Sequence, residues 1–164
     1  MSDEVMNNTG NHFDLSGFFF SNAFKEIIRT MTGLELMEEK MSLEDMKAFK
    51  AQISGVIILS GEKSIMISLS MSFIAASTLI SFMIGAQCSE LSDEDLNDGV
   101  SEIANVVGGK IKTKLSLGGV HFNILTPFTI KGNDHYITQR DKVLLFVKKF
   151  HNNDIEILAK VFTL

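Results

Sequence analysis

The chain has one cysteine, Cys88, so no disulfide can close within it. A lone thiol fits a reducing, cytoplasmic setting. There is no CxxC motif, and the four histidines, His12, His121, His135 and His151, are scattered as single surface or core residues. No metal-ligand spacing results, so no metal site is expected. Basic stripes are missing as well. The formal net charge is −5, and Lys110, Lys112 and Lys114 crowd what reads as one helix end. That excludes nucleic acid as the expected partner. The first residues lack the apolar run of a signal peptide and are polar and acidic. They are expected to form a flexible segment, residues 1–14, ahead of a single domain over residues 15–164.

Charge is also missing from residues 65–89, a stretch long enough to cross a bilayer. Ser68, Ser70, Ser72, Ser77, Thr78 and Ser81 interrupt it. Residues 65–69 alternate as a strand does, and Ser77, Thr78, Ser81 and Gly85 share one helical stripe. The stretch therefore reads as strand, turn and buried helix, with no membrane association.

The most informative segment is residues 91–115, LSDEDLNDGVSEIANVVGGKIKTKL. Ser92 is a candidate N-cap, with Asp95 three residues on where a capping-box acid would sit. Acids fill the first turn and lysines the last, which suits the helix dipole. Leu96, Val100, Ile103, Val107 and Ile111 form one apolar stripe. Glu102 and Asn105 lie off that stripe and, at spacing three, share a face. Ala104, Gly108 and Gly109 leave little bulk around them. Two glycines in a helix cost roughly 1 kcal/mol each relative to alanine, and close approach of another backbone would offset that. The approach can come from a partner or from the chain's own sheet.

Elsewhere, Ser21 or Asn22 reads as the cap of a helix running to Thr32, with Phe20, Phe24, Ile27, Ile28 and Met31 on one side and Gly33 at its end. Residues 34–50 read as weak strand or irregular, although Ser42-Leu43-Glu44-Asp45 carries a capping signal. Residues 51–60 and 64–69 form a hairpin across Gly61-Glu62-Lys63, and a helix over residues 72–84 ends at Gly85. Gly118-Gly119 turns the chain. Residues 121–130 form a strand that Pro127, having no amide proton, must interrupt. Residues 143–150 and 155–162 make a second hairpin. The fold class is α+β: an antiparallel β-sheet packed against two long helices and a shorter helix.

The run DGVSEIANVVGGKIKTKL resembles the signature helix of the CheC/CheX-type chemotaxis phosphatases, which carry a Glu-x-x-Asn motif; here it falls on Glu102 and Asn105. Residues 126–132, TPFTIKG, look like the family's Ser-x-Pro-x-x-x-x-Gly segment, with Leu125-Thr126 in place of its Ser-x. Residues 54–61, SGVIILSG, are similar to its GxIxLxG strand. In the CheC branch the first helix bears a second Glu-x-x-Asn pair. In this chain Glu26 is followed by Arg29, so the single motif is similar to the CheX branch.

The resemblance implies a CheC/CheX-like fold and a hydrolase acting on the phosphoaspartate of a CheY-like response regulator in chemotaxis. It implies that Asn105 orients the attacking water and that Glu102 pairs with the regulator's active-site lysine. Ala104, Gly108, Gly109 and Lys112 would then be partner-binding. Mg²⁺ is expected in the regulator, and no cofactor of the chain's own. A homodimer is also implied, with the C-terminal strand as the edge to be covered. The alternative is a non-catalytic CheX-like module that binds a response regulator or flagellar switch component.

Overall fold

The computed structural model describes residues 17–138 and 144–164. The expected flexible segment, residues 1–14, lies outside the described residues. The elements are α1 (Gly17–Thr32), β1 (Met37–Glu39), α2 (Leu43–Ala48), β2 (Ala51–Ser60), β3 (Ile65–Met71) and α3 (Phe73–Ile84). A single 3₁₀ turn (Cys88–Glu90) leads to α4 (Asp93–Leu117), β4 (Asn123–Ile124), β5 (Phe128–His135), β6 (Leu144–His151) and β7 (Glu156–Thr163). The sheet runs β1-β6-β7-β3-β2-β4, and β5 also pairs with β2. Every pairing is antiparallel.

Period-two alternation decides which sheet face meets the helices. On β2 and β3 the inward residues are Ile53, Ile57, Leu59, Ile65, Ile67, Leu69 and Met71, all at most 1% exposed. They meet Leu79 and Ile80 of α3 and the Leu96–Val100–Ile103–Val107–Ile111 stripe of α4 in one continuous core. Full burial of each such side chain contributes about 1.5–3 kcal/mol. α1 closes the far end through Phe20 and Phe24, with the Phe24 ring tilted 44° against Phe150 of β6 at 4.5 Å between ring centroids.

The charge-free stretch resolves as expected into β3 and α3. Ser72 caps α3 by accepting a hydrogen bond from the Ala75 amide, and Gly85 ends it at φ 71°. Among the described residues no helix is long and apolar enough to cross a membrane.

Three expectations need correction. α1 starts at Gly17, a turn before the expected cap. Ser21 lies inside the helix, its hydroxyl donating to the Gly17 carbonyl. Residues 34–50 contain β1 and the short helix α2, because the capping signal at Ser42 is realised in full: Ser42 and Asp45 form a reciprocal capping box. The C-terminal strand is no edge. β7 sits between β6 and β3, so both of its sides are paired within the chain. The chain turns back after β5 to place β6 outside β7, an order that local hairpin signals do not encode.

The sheet face away from the helices is also largely buried, and it sets polar groups among apolar ones such as Val56, Leu158 and Phe162. The Ser54 hydroxyl lies 2.7 Å from both the Ser70 hydroxyl and His135 Nε2, and His135 Nδ1 lies 3.1 Å from the Gly132 carbonyl. A carbonyl can only accept, so Nδ1 donates to Gly132, and in the neutral ring Nε2 then accepts from Ser54. Nearby, Lys160 donates to the Ile137 carbonyl at 2.7 Å and sits over the Tyr136 ring. Burial pushes Lys160 down to about 8.

Candidate functional site

α4 begins with the expected cap. The Ser92 hydroxyl accepts from the Asp95 amide at 3.1 Å, and the Asp95 carboxylate accepts from the Ser92 amide at 2.7 Å and the Ser92 hydroxyl at 2.6 Å. These bonds, the side-chain one first, hold the Asp95 carboxyl below the usual carboxylate range. A second tie comes from β5. Lys131 pairs with Asp93 at 3.2 Å, and Thr129 hydrogen-bonds Asn97. The helix is therefore fixed at its start and along its buried stripe, and whatever it displays outward is held rigidly.

The outward display is one stripe of α4. At 100° per residue, Asp98, Glu102, Asn105, Gly109 and Lys112 fall along the side turned away from β2. Glu102 is exposed and Asn105 half-buried. Neither side chain has a hydrogen bond or ion pair to a described residue. An acid and an amide, adjacent and with no bonds to any described group, can accept from a cation and both donate to and accept from water.

The structure separates the four residues expected to bind a partner. Gly109 has nothing within 4 Å of where a Cβ would stand, and Lys112 is half-buried on the same side as Asn105. Ala104 and Gly108 lie on the flank that packs against β2. Ala104 is fully buried, and a Cβ on Gly108 would stand 2.9 Å from Ile57 Cγ1. The reciprocal contact is Gly55 of β2, where a Cβ would stand 2.7 Å from the Val100 carbonyl oxygen and 3.3 Å from the Ala104 methyl. The backbone that approaches these small residues is thus the chain's own β2, and Ala104 and Gly108 are buried against it.

Sequence reasoning missed the neighbours that α3 brings. Met83 and Ile84, at the end of α3, line a notch of about 200 Å³ together with Asp95, Asp98, Gly99 and Glu102. Asp98 was within reach, since it stands one turn before Glu102. Met83 and Ile84 were not, because their place depends on Ile80 packing onto Gly99, a contact between helices. Among the described residues no group of three or more His, Cys, Asp or Glu side chains is arranged to hold a metal ion.

The fold has solved counterparts. The chain is similar to the chemotaxis protein CheX of Vibrio vulnificus, at 23% identity and a TM-score of 0.76, over 88% of this chain and 93% of that one. It is similar to a CheC-like superfamily protein of Shewanella sp. PV-4, at 23% identity and a TM-score of 0.78, over 88% and 94%. It is also similar to CheX in the CheX–CheY–BeF₃–Mg²⁺ complex of Borrelia burgdorferi, at 21% identity and a TM-score of 0.75, over 88% and 94%. No curated protein matches the chain. The family model described as chemotaxis phosphatase CheX matches residues 53–151, more than half of the chain, and the matched segment contains the whole of α4 with Glu102 and Asn105: the chain belongs to the CheX family.

Proposed function

We propose that the chain hydrolyses the phosphoaspartate of a CheY-like response regulator, with Asn105 orienting the water and Glu102 anchoring the regulator. The observation that carries this reading is the pairing of Glu102 and Asn105 on the outward stripe of a rigidly held α4, unengaged by any described side chain, inside the segment that matches the family model. Phosphoaspartate is an acyl phosphate, and its hydrolysis needs a water in line with the leaving carboxylate. Phosphoryl transfer is catalysed chiefly by positioning and charge stabilisation. An amide accepts from the water and donates to the phosphoryl oxygens without a charge that would repel them. A carboxylate at position 105 would repel. Glu102, one turn away, suits a cation, and the regulator's active-site lysine is the cation assigned to it. Mg²⁺ belongs to the regulator in this reading, as the Borrelia CheY is crystallised with BeF₃ and Mg²⁺. Gly109 and Lys112 remain as partner contacts beside Asn105.

The test is the decay of a phosphorylated CheY-like regulator from the same genome, with and without the chain. Decay should accelerate, and Asn105→Ala should lower the acceleration about 100-fold, the scale set by losing a positioning group. Binding without acceleration by the natural chain selects the non-catalytic module instead.

Assembly is the second part of the proposal. With β7 enclosed, a homodimer has to use another edge. Among the described residues the outer side of the eight-residue β5 pairs with no strand, and Leu125 and Phe128 stand exposed at that edge. A long open edge invites a two-fold partner strand. A monomeric mass by light scattering at micromolar concentration would count against it.

A further inference from the structure

The acids of α4 are not equivalent. Asp95 is engaged by Ser92 as part of the cap. Asp93 is paired with Lys131. Asp98 is exposed and has no hydrogen bond or ion pair to a described residue, although it lies four residues before Glu102 on the same stripe. Beside it, α3 ends in apolar residues. Ile84 is 52% exposed where the helix stops, and Met83 is half-buried against α4. The last turn of α3 holds no basic residue. Gly85 and Ala86 both donate to the Ser81 carbonyl, so the later carbonyls of α3 keep the partial negative charge of a helix C-terminus.

We propose that this notch, floored by Met83, Ile84 and Gly99 and edged by Asp98, is a recognition site for a second lysine or arginine of the response regulator, distinct from the lysine assigned to Glu102. The inference rests on the reading that the α4 stripe docks such a regulator. Three properties of the notch select the occupant. Its charge is negative from the Asp98, Asp95 and Glu102 carboxylates that line it, Asp95 being held by the cap and Glu102 being the residue already assigned a lysine, and from the α3 terminus, so the head group is cationic. Its floor is apolar, which suits the methylene stem of a long basic side chain lying along Met83 and Ile84 with its head at Asp98. Its acids are strung along one helix and do not converge as metal ligands, and the apolar floor beside them favours an organic cation over a hydrated metal ion. Asp98 and Glu102 stand one helical turn apart, about 5–6 Å. One cationic head centred on Glu102 leaves Asp98 unneutralised, and two basic side chains satisfy both. The notch is open on its outward side, so the occupant arrives on a protein surface. Asp98 and Ile84 then select which regulator binds, while Asn105 acts on whichever one is bound.

The experiment titrates the chain against a CheY-like regulator from the same genome, held with beryllofluoride and Mg²⁺, and measures decay rates of the phosphorylated form in parallel. Asp98→Lys and Ile84→Ser should each raise Kd at least tenfold and leave the rate at saturation within twofold. Both positions are on the surface, and unchanged thermal unfolding confirms that the variants fold. Asp98→Asn should weaken binding less and flatten its dependence on salt between 50 and 200 mM. Replacing a regulator lysine or arginine by Glu should restore binding to Asp98→Lys and not to Glu102→Lys. A Kd within twofold of the natural chain for both Asp98→Lys and Ile84→Ser overturns the proposal, as does an equal fall in the rate at saturation. Failure of the parent reading looks different. The natural chain would bind without accelerating decay, and the Kd values would still decide the notch. Absence of any binding by the natural chain overturns both.

Discussion

On the side of α4 that faces β2, Ala104 and Gly108 are closed in by Gly55 and Ile57. On the opposite side Gly109 meets nothing within 4 Å, and Glu102 and Asn105 face outward without a partner among the described residues. Small residues therefore serve different ends within one helix. Gly108 is small because a strand lies against it. Gly109 is small with no neighbour of its own to require it, at a cost of about 1 kcal/mol in helix propensity relative to alanine. The first is a packing requirement, and the second is unexplained by the fold and consistent with a partner's approach. The signature DGVSEIANVVGG is thus two interleaved signatures, one for seating the helix and one for what the helix presents.

A pair of substitutions separates the two sides of α4. In Gly55→Val even the first added carbon would stand 2.7 Å from the Val100 carbonyl oxygen, a backbone atom that can move only with the helix. Overpacking of this kind costs about 1–3 kcal/mol, and contact with backbone puts the expected loss at or above the top of that range. Urea unfolding should show a much lower midpoint or no cooperative transition. Gly109→Ala meets nothing and should raise stability by about 0.5–1 kcal/mol. If the open side serves docking, the same variant weakens regulator binding even as it stabilises the fold. A loss of stability in Gly109→Ala, or tolerance of Gly55→Val, would dissolve the distinction.

Lys160 sharpens the comparison from the far side of the sheet. It is a buried charge, whereas the charges on the outward stripe of α4 are solvated. Its folded pKa, about 8, lies below the ordinary lysine value of 10.5. Between those values the unfolded chain binds more protons, so the contribution to stability rises with pH through that window. Below about pH 8 the burial penalty on the charged form is present in full. Each pKa unit is worth about 1.4 kcal/mol. Lys160→Met should remove this part of the slope between pH 8 and 10, measured as the difference in unfolding free energy from the natural chain. Loss of the bond to Ile137 partly offsets the relief of burial at lower pH. The rate of regulator dephosphorylation at saturation should not follow this slope, because Lys160 lies across the sheet from α4.

What could be read from the chain follows the same division. The hairpin of β2 and β3, the end of α3 at Gly85 and the whole of α4 were legible because each is written in local signals: alternation, Gly past a helix end, Ser at the α4 cap and acids in its first turn. The outward stripe with Glu102 and Asn105 was legible for the same reason, since a helix's period fixes its faces. What escaped was set by long-range geometry. That Ala104 and Gly108 face inward depends on which side β2 takes. The apolar residues of the stripe, Val100, Ile103 and Val107, already pointed to their side, since Ala104 and Gly108 follow Val100 at spacings of four. The enclosure of β7 and the notch made by Met83, Ile84 and Asp98 come from strand order and from α3 packing on α4, which the period of a single strand or helix does not encode. The helix α2 was a different case. Its capping box was visible at Ser42 and Asp45, and the reading of residues 34–50 as weak strand or irregular overrode it.

The smallest expected effect on activity isolates how firmly the display is held. Ser92→Ala removes the hydroxyl that accepts from the Asp95 amide and donates to the Asp95 carboxylate. Loss of such a cap costs about 1 kcal/mol. It also removes the main cause of the lowered Asp95 pKa. A depressed carboxylate contributes stability that is present above its unfolded pKa and lost as pH falls through the folded one. The difference between the natural chain and Ser92→Ala should therefore be steady at neutral pH and shrink only below about pH 4. The cap sits at the start of α4, and Glu102 is held further along by Val100, Ile103 and Val107 in the core. Regulator dephosphorylation at saturation should consequently stay within twofold in Ser92→Ala. A tenfold fall would mean that the outward stripe is positioned from the helix terminus and not from the buried stripe, and that the two sides of α4 are less independent than their contacts indicate.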